Sequence, residues 1–276
     1  MIMKSRMSNL ICASVGLIVL VLMFTAHSDA KINPDTAVGV WLFDDGSGNI
    51  AKDSSGKGND GKLMEGPKWM DGKFGKALEF DGKEDYVYVS DPGTSSLDLT
   101  KSLTIMAWIK PVQHAQGNVI VNKRAPVAPC NYTLRLADGT NGEFDFWHNS
   151  GSWQGYTTNT GGMVKDRTWY HVASTYTSGK GEDIKVYVNG KEVEGKWTAG
   201  DGKGELVKND EDFNIGGRDY TGTRWFEGLI DEVAVFNEVL TKDDIGDIMN
   251  KGLKISLAVS PAGKLATSWG GLKAQY

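Results

Sequence analysis

Cysteine is almost absent from this chain: of two in 276 residues, Cys12 lies in the N-terminal apolar run, and only Cys130 lies in the body. Without a second thiol there, no intramolecular disulfide can hold the fold, so stability must come from a packed core, with or without a metal. Proline is scarce at 7 residues, and positive charge is not in excess, since the formal net charge is −5. A basic footprint for nucleic acid is therefore missing. No Gly-x-Ser-x-Gly elbow and no phosphate-binding loop occurs, and past residue 30 the only histidines are His114, His148 and His171. Nothing in that set composes a nucleophile with its base.

The chain begins with Lys4 and Arg6, runs apolar from Leu10 to Thr25, and reaches Ser28-Asp29-Ala30, small at its first and third positions. This is the pattern of a signal peptide over residues 1–30, cleaved after Ala30. The apolar run falls short of the ~20 residues that span a bilayer, so membrane association is expected only through an uncleaved N-terminal segment. Cys12 lacks a small residue before it, which argues against lipidation. Cleavage would leave 28 basic and 34 acidic residues, a net charge near −6. The expected location is secreted or cell surface.

Glycine, at 35 residues, punctuates short clusters of aromatic and β-branched residues, the texture of an all-β sandwich. Strands are expected at Val38–Phe43, Ala77–Phe80, Tyr86–Val89, Leu103–Ile109, Asn118–Asn122, Tyr132–Leu136, Glu143–His148, Trp169–Tyr176, Ile184–Val188, Lys191–Val193, Phe213–Ile215 and Phe226–Phe236. Leu103–Ile109 is apolar on both faces and should be central. Asn189-Gly190 predicts a type I′ hairpin turn. Thr241 and Asp244 predict a capped helix with an apolar stripe at Ile245, Ile248 and Met249. From about Lys254 the composition changes, giving a tail or extra edge strand over residues 253–276.

Asp53 to Gly61 concentrates oxygen donors and glycines, and Gly228 to Val233 carries a second acidic turn. Calcium takes six to eight hard oxygens, some from backbone carbonyls that a curled loop can aim inward. The same residues also make ordinary Asx and Gly turns, so the pattern has two readings.

In order, Gly39-Val40-Trp41-Leu42-Phe43-Asp44-Asp45-Gly46-Ser47-Gly48, Asp53 to Gly61, Phe74 to Gly82, Leu103 to Lys110, Trp169-Tyr170-His171-Val172-Ala173, Val186 to Gly190 and Gly228 to Asn237 resemble the LamG-like jelly-roll family of the concanavalin A-like lectin/glucanase group. The resemblance spans residues 36–252. It implies a jelly-roll β-sandwich of two curved antiparallel sheets, with one short helix near the C-terminus. It also implies a structural calcium held by Asp53, Asn59, a carbonyl of Gly58 or Gly61, and Asp231. Asp231 and Glu232, as strand neighbours, should point to opposite faces, so only one is expected at the metal.

The group includes laminarinase-type hydrolases with a Glu-x-Asp-x-x-Glu strand. Glu143-Phe144-Asp145-Phe146-Trp147-His148 begins that pattern but ends in histidine, whereas retaining hydrolysis needs two carboxyls ~5 Å apart. Phe144 and Phe146 should share one strand face and Glu143, Asp145 and Trp147 the other. The expected function is a non-catalytic module binding a glycan or an extracellular glycoprotein through loops or the concave sheet face. The candidate contacts are His148, Trp153 and Tyr156 in one loop, and Arg218, Tyr220 and Trp225 in another. The alternatives are a structural or adhesive protein attached through the Trp269 tail and, further off, a polysaccharide hydrolase or lyase.

Overall fold

The computed structural model describes residues 32–257 except 94, 113–117, 125–129, 139–141, 160–163 and 218–223. Seventeen strands are found among them. In chain order they are β1 (Ala37–Trp41), β2 (Ile50–Ala51), β3 (Gly61–Met64), β4 (Lys68–Asp71), β5 (Lys76–Asp81), β6 (Tyr86–Val89), β7 (Ser102–Pro111), β8 (Val119–Arg124) and β9 (Cys130–Leu136). Then follow β10 (Phe144–Asn149), β11 (Trp153–Thr158), β12 (Tyr170–Thr177), β13 (Lys180–Val188), β14 (Lys191–Val193), β15 (Gly195–Ala199), β16 (Phe213–Ile215) and β17 (Glu227–Phe236). They form two antiparallel sheets. One runs β14-β13-β12-β7-β17-β5-β4, with β1 also paired to β17, and the other runs β15-β11-β10-β9-β8-β16-β6-β3-β2.

The two sheets bury one large apolar core between them, including Trp41, Phe80, Ile105, Tyr132, Phe146 and Phe213. Trp41 stacks on Phe213 with ring centroids 5.0 Å apart, linking the sheets at the middle of the sandwich. β7 lies between β12 and β17, as its two apolar faces require. Its second face, with Met106, packs under Tyr187, Ala234 and Phe236 and is roofed by Leu240, Ile245, Ile248 and Leu253. Leu240 lies just before helix α1 (Lys242–Lys251), which supplies Ile245 and Ile248, and Leu253 opens the helical turn α2 (Leu253–Ser256). Thr241 and Asp244 form the expected capping box, and Gly252 ends the helix at φ 79°. Residues 253–256 are thus helical rather than an edge strand, and residues 258–276 lie outside the described residues, as do residues 1–31.

Asn189 and Gly190 take positive φ between β13 and β14, the turn their identities predict. Five strands escaped the sequence reading: β2, β3, β4, β11 and β15. β17 carries a bulge. The pairing to β7 slips between Asp231 and Ala234, Glu232 sits at φ 50°, and Asp231 and Glu232 are both buried, each accepting from different backbone amides. A second polar knot lies under β8, where the fully buried Lys123 pairs with Asp91 and Asp98 and donates to the carbonyls of Asn209 and Glu211.

Candidate functional site

Alternation gives the nine-stranded sheet two unlike faces. Along one register row, Tyr156, Phe146, Leu134, Val121, Ile215, Val87 and Leu63 face the core. The next row presents Gly155, Trp147, Thr133, Asn122, Asn214 and Tyr88 on the opposite face. That outer row is polar and aromatic across six strands.

Its aromatic end is built around a glycine. The Trp147 indole lies over Gly155, where a Cβ would come within 2.5 Å of the ring. Trp153 meets it edge-on at 6.1 Å. Arg124 lies over Trp153 at 5.0 Å, and Arg135 over Trp147 at 5.5 Å, so guanidiniums flank the indole pair. Arg135 is held by Asp145 at 3.1 Å and Asp138 at 3.2 Å, and Arg224 reaches the same Asp138 carboxylate at 2.7 Å. Together with Asn122, Thr133 and Val119, the indoles and guanidiniums enclose a cavity of about 250 Å³. A larger, more acidic cavity of about 680 Å³ adjoins it past Arg135 and Trp147, lined in part by Asp138, Glu143, Asp145 and Glu194.

Of the expected ligand contacts, Trp153 reaches this face and is exposed. His148 does not. It points inward, fully buried against Phe146, Tyr176 and Trp197, and burial pushes its imidazole down to about 4, so it is neutral near pH 7. Tyr156 also turns toward the core, edge-on to Trp197 at 5.5 Å. The physical reason is that 148–156 is a β-hairpin rather than a loop, so alternate residues face opposite ways. Trp225 packs against Tyr86 at 5.8 Å. Arg218 and Tyr220 lie outside the described residues. The sequence reading missed Arg124, Arg135 and Arg224. Arg135 was legible, because Tyr132, Leu134 and Leu136 alternate with Thr133 and Arg135. Arg224, 86 positions from its partner Asp138, had no local signal.

The expected calcium ligands do not converge. Asp53 Oδ1 accepts from the amides of Val40 and Ser55, and Oδ2 from Asn59 N and Ser55 Oγ, which uses two acceptor positions on each oxygen. Asn59 turns its amide nitrogen to Val38 O and Ser96 Oγ, and its backbone carbonyl accepts from Trp41 Nε1. Gly61 lies in β3 against Val87. This is a hydrogen-bonded Asx turn pinned to β1, the alternative reading of the same residues.

Asp231 belongs to a separate cluster. Its Oδ2 accepts from Lys73 N at 2.8 Å and Phe74 N at 2.9 Å. Burial, reinforced by the Glu232 charge, lifts its carboxyl to about 7. Burial likewise lifts Glu232 to about 7, and Glu232 accepts from Leu253 N at the start of α2. Among the described residues no group of three or more His, Cys, Asp or Glu could hold a metal ion. The residues therefore do not fit a calcium shared between Asp53 and Asp231.

The abortive hydrolase pattern is equally constrained. Asp145 is paired to Arg135, and His148, where a second acid would stand, faces the core. Glu143 precedes β10 and lines the larger cavity.

Residues 81–246 match the family model of the concanavalin A-like lectin/glucanases superfamily. No protein of curated function is matched by sequence. Among solved structures, domain 4 of AbnA, a GH43 extracellular arabinanase from Geobacillus stearothermophilus, in complex with arabinotriose, is similar at TM-score 0.58 and 23% identity, over 78% of this chain and 98% of that one. The binding domain of Paraclostridial Mosquitocidal Protein 1 is similar at TM-score 0.61 and 17% identity, over 79% of this chain and 52% of that one. The binding domain of botulinum neurotoxin DC, in complex with rat synaptotagmin II, gives TM-score 0.57 and 14% identity, over 82% and 52%. At these identities the structural likeness speaks to the fold alone. With the match over more than half its length and two antiparallel sheets in place, the chain belongs to the concanavalin A-like lectin/glucanase superfamily.

Proposed function

We propose that this protein is an extracellular, non-catalytic module that binds saccharide on the outer face of its nine-stranded sheet. One observation carries the reading: Trp147 and Trp153 stand edge to face on an otherwise polar sheet surface, flanked by Arg124 and Arg135, beside a cavity. Indole faces take the C–H face of a sugar ring, and neighbouring amide, hydroxyl and guanidinium groups take its hydroxyls. Arabinotriose in a neighbour of the same fold agrees with a sugar ligand, and rat synaptotagmin II in another agrees with a protein partner. The signal-peptide pattern of residues 1–30 supports secretion or surface display. Binding in this reading is independent of calcium, because the Asp53 loop is closed by its own hydrogen bonds.

The test is affinity electrophoresis of the full chain through gels containing plant, algal and bacterial polysaccharides, with and without chelator. Retardation by at least one polysaccharide, abolished in Trp153→Ala and unchanged by chelator, is the expected result. Absence of retardation in every gel would transfer the assignment to the adhesive alternative. New reducing ends in the gel would establish a hydrolase.

A further inference from the structure

The smaller cavity has an unusual charge composition for this molecule. The chain carries twenty-four lysines and six arginines, yet three arginines and no lysine line this one cavity, and no carboxylate is among its lining residues. Arginine presents a planar fork of N–H donors and no acceptor, a geometry matched to the paired oxygens of carboxylate or sulfate. A hydroxyl among such donors can accept but leaves its own hydrogen unmatched, whereas an acceptor-only group matches every one.

A second, independent feature points the same way. Arg135 keeps only 9% of its side chain exposed, and its Nε–H has no acceptor among the described residues. The Nε1–H of Trp147, in contact with the same guanidinium, has none either. Two unmatched donors thus sit at the wall that the two cavities share. Buried donors without partners are rare in folded proteins and call for an acceptor. All of this lies in a protein whose formal net charge is −5, so the clustering of three guanidiniums is local rather than a reflection of overall composition, although Arg135 and Arg224 already hold Asp138 and Asp145 as counter-ions.

We infer that the saccharide bound at this face is acidic, carrying a carboxylate or sulfate that Arg124, Arg135 and Arg224 receive while a ring packs on Trp153. The inference rests on the saccharide-binding reading above and adds its chemical class. The shared chemistry is an oxyanion on a sugar ring, and uronate and sulfate ester are the two sources to be distinguished.

The full chain is titrated calorimetrically with polygalacturonate, dextran sulfate, neutral dextran, neutral arabinan and poly-glutamate, at 50 and 200 mM salt. At least tenfold tighter binding to one or both acidic polysaccharides than to the neutral ones, weakened by salt, is expected. Preference for polygalacturonate assigns a carboxylate, and preference for dextran sulfate assigns a sulfate. Arg124→Gln and Arg224→Gln, each with its melting temperature measured alongside, should each lose at least tenfold for the acidic polymer and little for the neutral one. Equal binding to neutral polysaccharide overturns the acidic assignment and leaves the saccharide reading standing. Equal binding to poly-glutamate overturns it in favour of a generic polyanion patch, and no binding to any polysaccharide overturns both readings.

Discussion

Replacing Asp231 by Asn should stabilise this protein above neutral pH, although it alters a fully buried residue that anchors a loop. Asp231 Oδ2 accepts from the amides of Lys73 and Phe74, and Oδ1 has no partner among the described residues. An asparagine can keep its oxygen on those two amides and place its NH₂ where Oδ1 stood, without a charge. In the native chain the folded carboxyl is lifted from 3.8 to about 7, so the folded state holds this proton more tightly than the unfolded state. Its contribution is therefore most favourable below pH 3.8, decays as pH rises through the interval, and reaches its full cost just above 7. At about 1.4 kcal/mol per unit, the cost approaches ~4 kcal/mol. The stability difference between Asp231→Asn and the native chain should grow from near zero at pH 4 toward that value at pH 8. Urea unfolding at pH 4.5, 6 and 8, followed by tryptophan fluorescence, measures it, and taking the difference cancels the titrating groups that do not interact with Asp231, leaving Glu232 as the coupled one. A variant less stable than the native protein at pH 8 would refute the reasoning, most plainly if calcium stabilised the native protein and not the variant.

Lys123→Met should cost ~3–5 kcal/mol in the same assay, because it leaves Asp91 and Asp98 buried without their cation. Gly155→Ala should push Trp147 off β11, lowering saccharide affinity at least tenfold while destabilising the fold by ~1–3 kcal/mol, as calorimetric titration and thermal melts will show. Asp53→Ala should lower stability by ~2–4 kcal/mol through loss of four accepted hydrogen bonds, whereas chelator leaves the melting temperature of the native protein unchanged. His148 runs opposite to Asp231. Its folded value is depressed from 6.5 to about 4, so its contribution is full above 6.5 and is lost as pH falls toward 4, and His148→Phe should flatten that limb of the stability curve.

The sandwich was legible because its signals are local: β7 is apolar on both faces, Asn189-Gly190 permits only a tight turn, and Thr241 with Asp244 caps a helix. What escaped was short or weakly patterned. β11 reads Trp-Gln-Gly-Tyr-Thr-Thr, whose central glycine resembles a loop in sequence but in space makes room for Trp147. That single misreading sent His148 and Tyr156 to the binding site when strand pairing turns both inward. The calcium expectation rested on a pattern with two readings. Asp, Asn and Gly in a curled loop can satisfy either a cation or their own amides, and only the hydrogen-bond partners distinguish the two. Arg224 and Asp138 meet by tertiary pairing, beyond the reach of any periodicity.

The decisive observation is an indole N–H nuclear magnetic resonance titration of the full chain with short saccharides, acidic and neutral. Binding on the outer face should move the Trp147 and Trp153 signals while leaving Trp41, buried between the sheets, and Trp108, on the other sheet, in place. Saccharide binding that shifts Trp108 and leaves Trp147 and Trp153 unmoved would contradict it.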